Sequence, residues 1–414
     1  MTAILLTPLP EGERTESLHA YRATGGWDAW RRAVAGDLTP GALRRMVGES
    51  GLLGRGGAAF PAARKWDLAA AAPGTPRYVV ANGGEHEPGS SKDRVLLTRH
   101  PHKVLEGMAL CGHATGAAHG YLYLIEDMTD ALEAATRAVD EARSARLLGE
   151  RFDVTLVKAP PTYVAGEETA ALEVIEGRRP WPRKKPPFPG EHGLFGQPTT
   201  VNNVETLACV PSLAREGAAW FRALGRRGGT GTMLFTLDAR LSHPGVHELP
   251  VGSTFRELLY DAGGGAASGR DVRAILPAMS SCFLPASCLD TPMTAQDVRA
   301  AGSGLGCGGV TVLEDGECVV ERVAAIAEFF KREQCGQCPA CRMETSTLAA
   351  IVSQVRDGAA GGYADQIERV VAFAAGKGYC SLIPMAAAPV VSALKLFPGD
   401  FAHHAAQGAC PFPP

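Results

Sequence analysis

The chain has 414 residues, too long for one typical domain, with 45% hydrophobic and 21% charged residues, an ordinary globular balance. A net charge of -3 excludes the basic character of a general nucleic-acid binder. No apolar run approaches the roughly 20 residues that cross a bilayer. The opening "MTAILLTPLPEGERTE" lacks the basic start and cleavage site of a signal peptide. A cytoplasmic location without a membrane span is expected, and there disulfides explain 11 cysteines poorly.

Residues 1–45 read as a lead-in with helical stretches such as "WDAWRRAVAG". The stretch "GLLGRGGAAFPAARKW" then spells G-x-G-x-x-A from Gly54 to Ala59. A helical pattern precedes it, where a dinucleotide fingerprint needs a strand. What it offers instead is bare glycine amides ahead of Pro61 at a helix start, an arrangement that suits an anion. Arg55 and Lys65 would add positive charge; a mobile surface turn is the competing reading.

From about 76 to 160 short apolar strands ("RYVVA", "GYLYLIE", "FDVTLVKA") alternate with longer helical patterns. That alternation predicts an α/β fold with a mostly parallel, doubly wound sheet, whose ligands sit beyond the carboxyl ends of the strands. "RYVVA" runs into Asn82, Glu85 and Glu87, and "FDVTLVKA" into Tyr163, Gly166, Glu167 and Glu168. These carboxylates would repel phosphate but accept hydrogen bonds from ribityl or ribose hydroxyls and from a carboxamide. Ordinary helix capping is the alternative for Glu167 and Glu168.

The segment "RRPWPRKKPPFPGEHGLFGQP" excludes a helix or central strand and must be a long loop or a linker. Its Arg183-Lys184-Lys185 run, next to Phe188, could hold a pyrophosphate and a stacked ring, or be a solvated surface. A small α+β module is expected from about 230 to 312, and a helical bundle after about 318.

"EQCGQCPACR" sets Cys335, Cys338 and Cys341 two residues apart. Three closely spaced thiolates plus one remote cysteine form a ligand set for a [4Fe–4S] cluster, with Gly336 permitting the tight curvature. Cys380, at a loop-to-helix junction, is the expected fourth ligand, since Cys410 lies in a Pro-rich tail expected to fray. Structural zinc and unligated thiols compete with this reading. Most of Cys111, Cys209, Cys282, Cys288, Cys307 and Cys318 read as small buried hydrophobes.

Together, "GRGGAAFPAARKW", "EPGSSKDR", "GEETAALEVIEGRRPWPRKKPPFP", "GLFGQPTTVNNVETLA" and "EQCGQCPACR" closely resemble the NADH-oxidising flavoprotein subunit of respiratory complex I (NADH:quinone oxidoreductase). They also resemble its diaphorase relatives in NAD-linked hydrogenases and formate dehydrogenases. The resemblance runs from about residue 30 to 400. It implies an FMN-binding domain over 46–228, a β-grasp module of the soluble-ligand-binding type over 229–315, and a helical [4Fe–4S] domain over 316–414. It places Gly54, Arg55, Gly56, Gly57, Lys65, Asn82, Gly166, Glu167, Asn202 and Asn203 against FMN. Phe60, Glu87, Glu168, Lys185 and Phe188 fall against NADH, with Glu87 the catalytic candidate; Glu85 and Tyr163 complete the cofactor-binding set. Cys335, Cys338, Cys341 and Cys380 match the cluster ligands.

The activity implied is hydride transfer from NADH to FMN, then single electrons to the cluster and on to a partner. That partner would be a small thioredoxin-like [2Fe–2S] subunit or a ferredoxin, within a larger redox complex. NADH is expected over NADPH, because Glu168 near the adenosine ribose would repel a 2′-phosphate. Three departures stand out: Gly84 replaces an aspartate, Ala59 a glycine, and Leu68 an aromatic. The first removes an FMN hydrogen bond worth on the order of 1 kcal/mol, and His86 could compensate. A non-catalytic electron-transfer or assembly scaffold is the alternative function.

Overall fold

The computed structural model describes residues 3–359 and 361–412. Four strands, β1 (Tyr78–Gly83), β2 (His119–Ile125), β3 (Asp153–Ala159) and β4 (Thr199–Asn203), form a wholly parallel sheet in the order β3-β2-β1-β4. Such a sheet buries both faces, and β1 shows how. Side chains alternate along a strand, so Val79 and Ala81 enter one hydrophobic core while Val80 enters another.

The first face is covered by helices α1 (Pro40–Ser50), α2 (Ala62–Ala71), α3 (Lys92–Arg99), α4 (Pro101–Thr115) and α5 (Thr129–Ser144), the second by α6 (Glu168–Ile175). α4 begins with a proline where no amide is needed and ends at Gly116, whose φ of 79° suits glycine. It is buried along nearly its whole length. Its Glu106 accepts hydrogen bonds from the Tyr21 hydroxyl (2.6 Å) and the amides of Trp27 and Trp30 (2.8 and 3.2 Å). Lys103 donates to the carbonyls of Ile4 and Leu5 (2.9 and 3.1 Å). These buried polar contacts fasten the lead-in, whose Leu5, Tyr21, Trp27 and Trp30 share the core of the parallel sheet.

Five further strands, β5 (Thr232–Leu237), β6 (Gly245–Pro250), β7 (Val272–Leu276), β8 (Leu284–Pro285) and β9 (Gly309–Glu314), make a second sheet in the order β6-β5-β9-β7-β8. Its first and last strands lie side by side and parallel, while the other pairs are antiparallel, which is the β-grasp arrangement. Between β6 and β7 a helical segment, Glu257–Ala262, buries Leu258 and Leu259 against it.

Helices α7 (Val319–Glu333), α8 (Pro339–Arg356), α9 (Tyr363–Ala374), α10 (Leu382–Leu396) and α11 (Pro398–Gln407) form the bundle. Its core takes in Ala274, Leu276 and Leu313 of the β-grasp sheet and Val164 from the loop after β3. Among the described residues no single helix is long and apolar enough to cross a membrane; α10 and α11 meet that test only as a pair, bent by 90°.

The proline-rich stretch from 178 to 198 is a loop tied down at several points, not a linker. Thr169 Oγ1 accepts from the Arg183 amide (2.9 Å), and the Pro182 carbonyl accepts from Gln337 Nε2 (2.9 Å).

α4 crosses the segment after β4 so closely that a Cβ at Gly107 would lie 2.1 Å from the Leu207 carbonyl oxygen. Gly107→Ala must push two buried helices apart. Chemical denaturation should show a loss of about 1–3 kcal/mol, as overpacking of a core does.

Candidate functional site

From β1 the chain winds outward to β2 and β3, then returns to β4 on the other side of β1. The β1 and β4 carboxyl ends therefore flank a crevice where connections depart in opposite directions, the usual ligand position in such sheets. Asn82 and Asn203 mark it. Asn82 Nδ2 donates to the Gly166 carbonyl and its Oδ1 accepts from the Gly84 amide, both at 2.9 Å. Asn203 Nδ2 donates to the Asn82 carbonyl (3.2 Å) and to Asp93 (2.6 Å). Asn202, one residue back, is buried and reaches Cys111 Sγ at 4.0 Å. The strand's alternation thus turns it away from Asn203.

The glycine loop closes through Gly54 N–H to the Phe60 carbonyl (2.9 Å) and lies directly on β4: a Cβ at Gly56 would sit 3.2 Å from the Asn203 Cβ. Gly57 needs its φ of 112°, and Ala59 occupies the left-handed region at 51°, where glycine is easier. Arg55 departs from expectation. Its side chain is buried and donates to the Thr230 and Thr232 carbonyls (3.3 and 3.0 Å), so its charge braces the β-grasp sheet.

Lys65 does face the crevice. It pairs with Glu168 (3.1 Å) and donates to the Val201 carbonyl (3.2 Å). Lys185 reaches Glu167 (2.8 Å) and Glu168 (3.2 Å). Glu167 also caps α6, accepting from the amides of Thr169 and Ala170 (2.7 and 3.0 Å). Burial would raise the Glu168 pKa, but Lys65 and Lys185 outweigh it and hold the carboxyl below its ordinary range. Burial would likewise lower Lys185, and Glu167 with Glu168 raise it instead. The basic run does not converge: Arg183 turns to Glu173 (2.5 Å) and Glu176 (3.0 Å), and Lys184 is exposed. Phe188 is 54% exposed and Phe60 half-buried.

In the loop after β1, Glu85 accepts from Ser90 Oγ (2.6 Å) and from the amides of Asp93 and Arg94 (3.1 Å each), capping α3. Burial, then Asp93, push its pKa up to about 7. Glu87 accepts from the Tyr163 hydroxyl (2.6 Å) and from Ser280 N and Oγ (3.0 and 2.8 Å). His86, lowered to about 4 by burial, is neutral, and its buried Nε2 has no hydrogen-bond partner among the described residues. Gly84 has no room for a side chain as the loop stands, since a Cβ would come within 2.9 Å of Asn82 Oδ1.

Beneath the crevice lies a charge network that pattern reading missed. Lys92, 1% exposed, pairs with Asp93 (2.7 Å) and Glu205 (2.8 Å) and bonds to Asn203 Oδ1 (3.2 Å). Burial works against its charge, but Asp93, Glu205 and Glu85 raise its pKa well above the ordinary lysine value. Nothing in "SSKDR" distinguishes this lysine from a surface one.

Cys335, Cys338, Cys341 and Cys380 line one cavity with Val164, Gly336, Gly378 and Ile383. Gly336 turns at φ 79°, Cys338 is the N-cap of α8, Cys341 sits in its first turn, and Cys380 precedes α10. Burial pushes the Cys341 and Cys380 thiols up to about 12 and about 11, with the neighbouring cysteines adding to the shift. One turn beyond Cys341, both carboxyl oxygens of Glu344 are buried without a hydrogen-bond partner among the described residues, and burial raises its pKa to about 8.

Crevice and cavity share one loop. Tyr163 donates its hydroxyl to Glu87 and its amide to Glu333 (3.1 Å), and its ring packs edge-on against Phe329 and Phe330 of α7. Val164 then lines the cysteine cavity, and Gly166 to Glu168 return to the strand ends.

A parallel sheet with a glycine loop at its switch point, a β-grasp module and a cysteine-bearing bundle define a flavin and iron–sulfur class of protein, and comparison with known proteins gives the family. Residues 47–212 match the Nuo51 FMN-binding domain, and 321–404 the NADH-ubiquinone oxidoreductase-F iron-sulfur binding region. The chain is 39% identical to the second F subunit of the NADH-quinone oxidoreductase of Rhizobium meliloti, over 95% of this chain and 96% of that one. It is 36% identical to the NADH-quinone oxidoreductase F subunit of Streptomyces coelicolor, over 100% and 94%. A chain of the NAD+-reducing [NiFe]-hydrogenase in its H2-reduced state superposes with a TM-score of 0.81 at 31% identity, covering 90% of this chain and 63% of that one. The chain belongs to the family of NADH-quinone oxidoreductase F subunits. It has that family's FMN-binding domain and [4Fe–4S] region.

The residues present suit both groups. The crevice has glycine amides, Lys65 and an unpartnered His86 nitrogen. The four cysteines line one cavity, the donor type and number that a [4Fe–4S] cluster takes.

Removing Lys92 would strand two buried carboxylates. Lys92→Met should cost about 3–5 kcal/mol in chemical denaturation, and adding Glu205→Gln should recover part of that loss. Glu344 supplies a pH signature. Its folded pKa of about 8 lies above the ordinary 4.5, so its stabilising contribution is complete below the unfolded value and is lost as pH rises through the folded one. The melting-temperature gain of Glu344→Gln over the parent protein should therefore grow from about pH 5 to about pH 8.

Proposed function

We propose that this chain oxidises NADH at the crevice and releases electrons through the cysteine cavity to a partner subunit. When bound, FMN takes the electron pair as hydride and the [4Fe–4S] cluster passes electrons singly, chemistry that belongs to the cofactors. The observation that carries the proposal is the Tyr163–Glu168 loop, which lines the cysteine cavity at Val164 and the crevice at Gly166 and Glu168.

The chain's own residues bind and orient. In the loop from Gly54 to Gly57 the Gly54 and Arg55 amides are taken by the Phe60 carbonyl and Thr206 Oγ1 (2.9 Å each). The Gly56 and Gly57 amides, with Lys65, would therefore hold the FMN phosphate; Asn82, Gly166, Glu167 and Asn203 would bond its hydroxyls and ring edge. Phe60 and Phe188, both accessible, would receive the dinucleotide beside Lys185 and Glu168. Glu87, fixed by Tyr163 and Ser280, would orient the nicotinamide. Cys335, Cys338, Cys341 and Cys380 would ligate the cluster. The assembly would be cytoplasmic, with units at 46–228, 229–315 and 316–414 behind the lead-in 1–45, and a thioredoxin-like [2Fe–2S] subunit or ferredoxin as acceptor.

Cys380→Ser in anaerobically purified protein should lose most of its iron while keeping flavin and its bleaching by NADH. Unchanged iron, or a parent protein with no flavin absorption and no bleaching, would refute the assignment; the latter would leave a non-catalytic scaffold. Repulsion by Glu168 should also make kcat/KM for NADH at least roughly tenfold that for NADPH, about 1.4 kcal/mol. Equal values would refute that role.

A further inference from the structure

Cys318, His404 and Cys410 meet at the end of the bundle away from the cluster cysteines. Cys318 is the N-cap of α7, whereas Cys335 follows that helix's last turn. The 15 residues between put about 22 Å between the two places. The Sγ atoms of Cys318 and Cys410 and a ring nitrogen of His404 all lie within 4.8 Å of one another, the only such group among the described residues.

His404 is 1% exposed. Its Nδ1 lies 3.0 Å from the Arg356 carbonyl, which can only accept, so Nδ1 carries the proton and Nε2 presents a lone pair. That lone pair lies 3.1 Å from Cys318 Sγ. Metal-binding histidines are oriented in this way, by a carbonyl on the far nitrogen. Cys318 Sγ also accepts from the Glu321 amide (3.4 Å), which fixes its place at the start of α7. Cys410 is positioned independently: Gly408, at φ 61°, turns the chain out of α11, and Phe412 packs on the Arg273 guanidinium (5.1 Å), itself paired with Asp400 (2.8 Å).

We propose that Cys318, His404 and Cys410 bind a zinc ion, with water as the fourth ligand, clamping the start of the bundle to its C-terminal tail. Two thiolates and one imidazole are a zinc ligand set. Zn–S bonds of about 2.3 Å and a Zn–N bond of about 2.0–2.1 Å place the ligand atoms roughly 3.5 Å apart, close to the 3.1 Å between Cys318 Sγ and His404 Nε2 and inside the 4.8 Å that bounds all three. Binding forms two Zn–S bonds and one Zn–N bond, and the two thiol protons pass to solvent. A Cys318–Cys410 disulfide would instead leave the buried Nε2 without a partner.

The test is metal analysis and zinc X-ray absorption on the anaerobically purified full-length protein, with and without Cys410→Ser. About one zinc per chain is expected beyond the cluster iron, with two sulfurs at about 2.3 Å and one nitrogen at about 2.0–2.1 Å. Cys410→Ser, in the tail, should lower zinc at least roughly tenfold with iron and NADH oxidation unchanged. Equal zinc in parent and variant overturns the proposal. So does an all-sulfur shell, no uptake from added Zn2+, or a Cys318–Cys410 disulfide in protein isolated with zinc present. The zinc content, its ligand shell and the disulfide are read without NADH, so they do not depend on whether NADH is the substrate.

Discussion

One carboxylate joins the three units. Glu87 follows β1, the Tyr163 hydroxyl it accepts follows β3, and the Ser280 donors lie between β7 and β8. The Tyr163 ring rests on Phe329 and Phe330 of the bundle. Hydrogen bonds to a charged group contribute about 1.5–3 kcal/mol each, so the junction is held by chemistry as well as packing. It fixes Val164 in the cysteine cavity while the next four residues return to the crevice, and the separation of the two sites is set there.

Electrostatics at the crevice follows a different rule from the core below it. Lys92 and Glu205 are sealed from water and stand or fall as a pair. Lys65, Lys185, Glu167 and Glu168 keep some contact with solvent and can exchange partners. A phosphate arriving at Lys65 competes with a carboxylate already bonded to it, and that favours ligands which also offer hydroxyls or an amide to the displaced glutamate. The buried neutral His86 stands beside this exchange, near the place that Gly84 leaves without a side chain.

Local signals carried much of this into the sequence. The short apolar runs of β1, β2 and β3 and the longer helical patterns between them depend on neighbours within a few residues, so the parallel sheet was legible. The gathering of Cys380 with the cysteine triplet in one cavity was legible too, because a closely spaced triplet suits one remote thiol and Cys380 stands at a loop-to-helix junction. Partners far along the chain were not. Arg55 reads as a cation adding charge to an anion pocket in the glycine loop, yet its acceptors are carbonyls at 230 and 232. Glu85 reads as a ligand group, yet folding back onto α3 makes it a cap. Cys410 reads as part of a frayed tail until Phe412 and Arg273 are seen to hold it. Three basic residues in a row suggest one anion site, but the proline-rich backbone points them in three directions.

The central claim is that crevice and cysteine cavity act as one path. Anaerobic addition of NADH to the purified protein, followed by low-temperature electron paramagnetic resonance, tests it directly. The account predicts that flavin bleaching is accompanied by the paramagnetic signal of a reduced cluster. Full bleaching with the cluster left oxidised would contradict it.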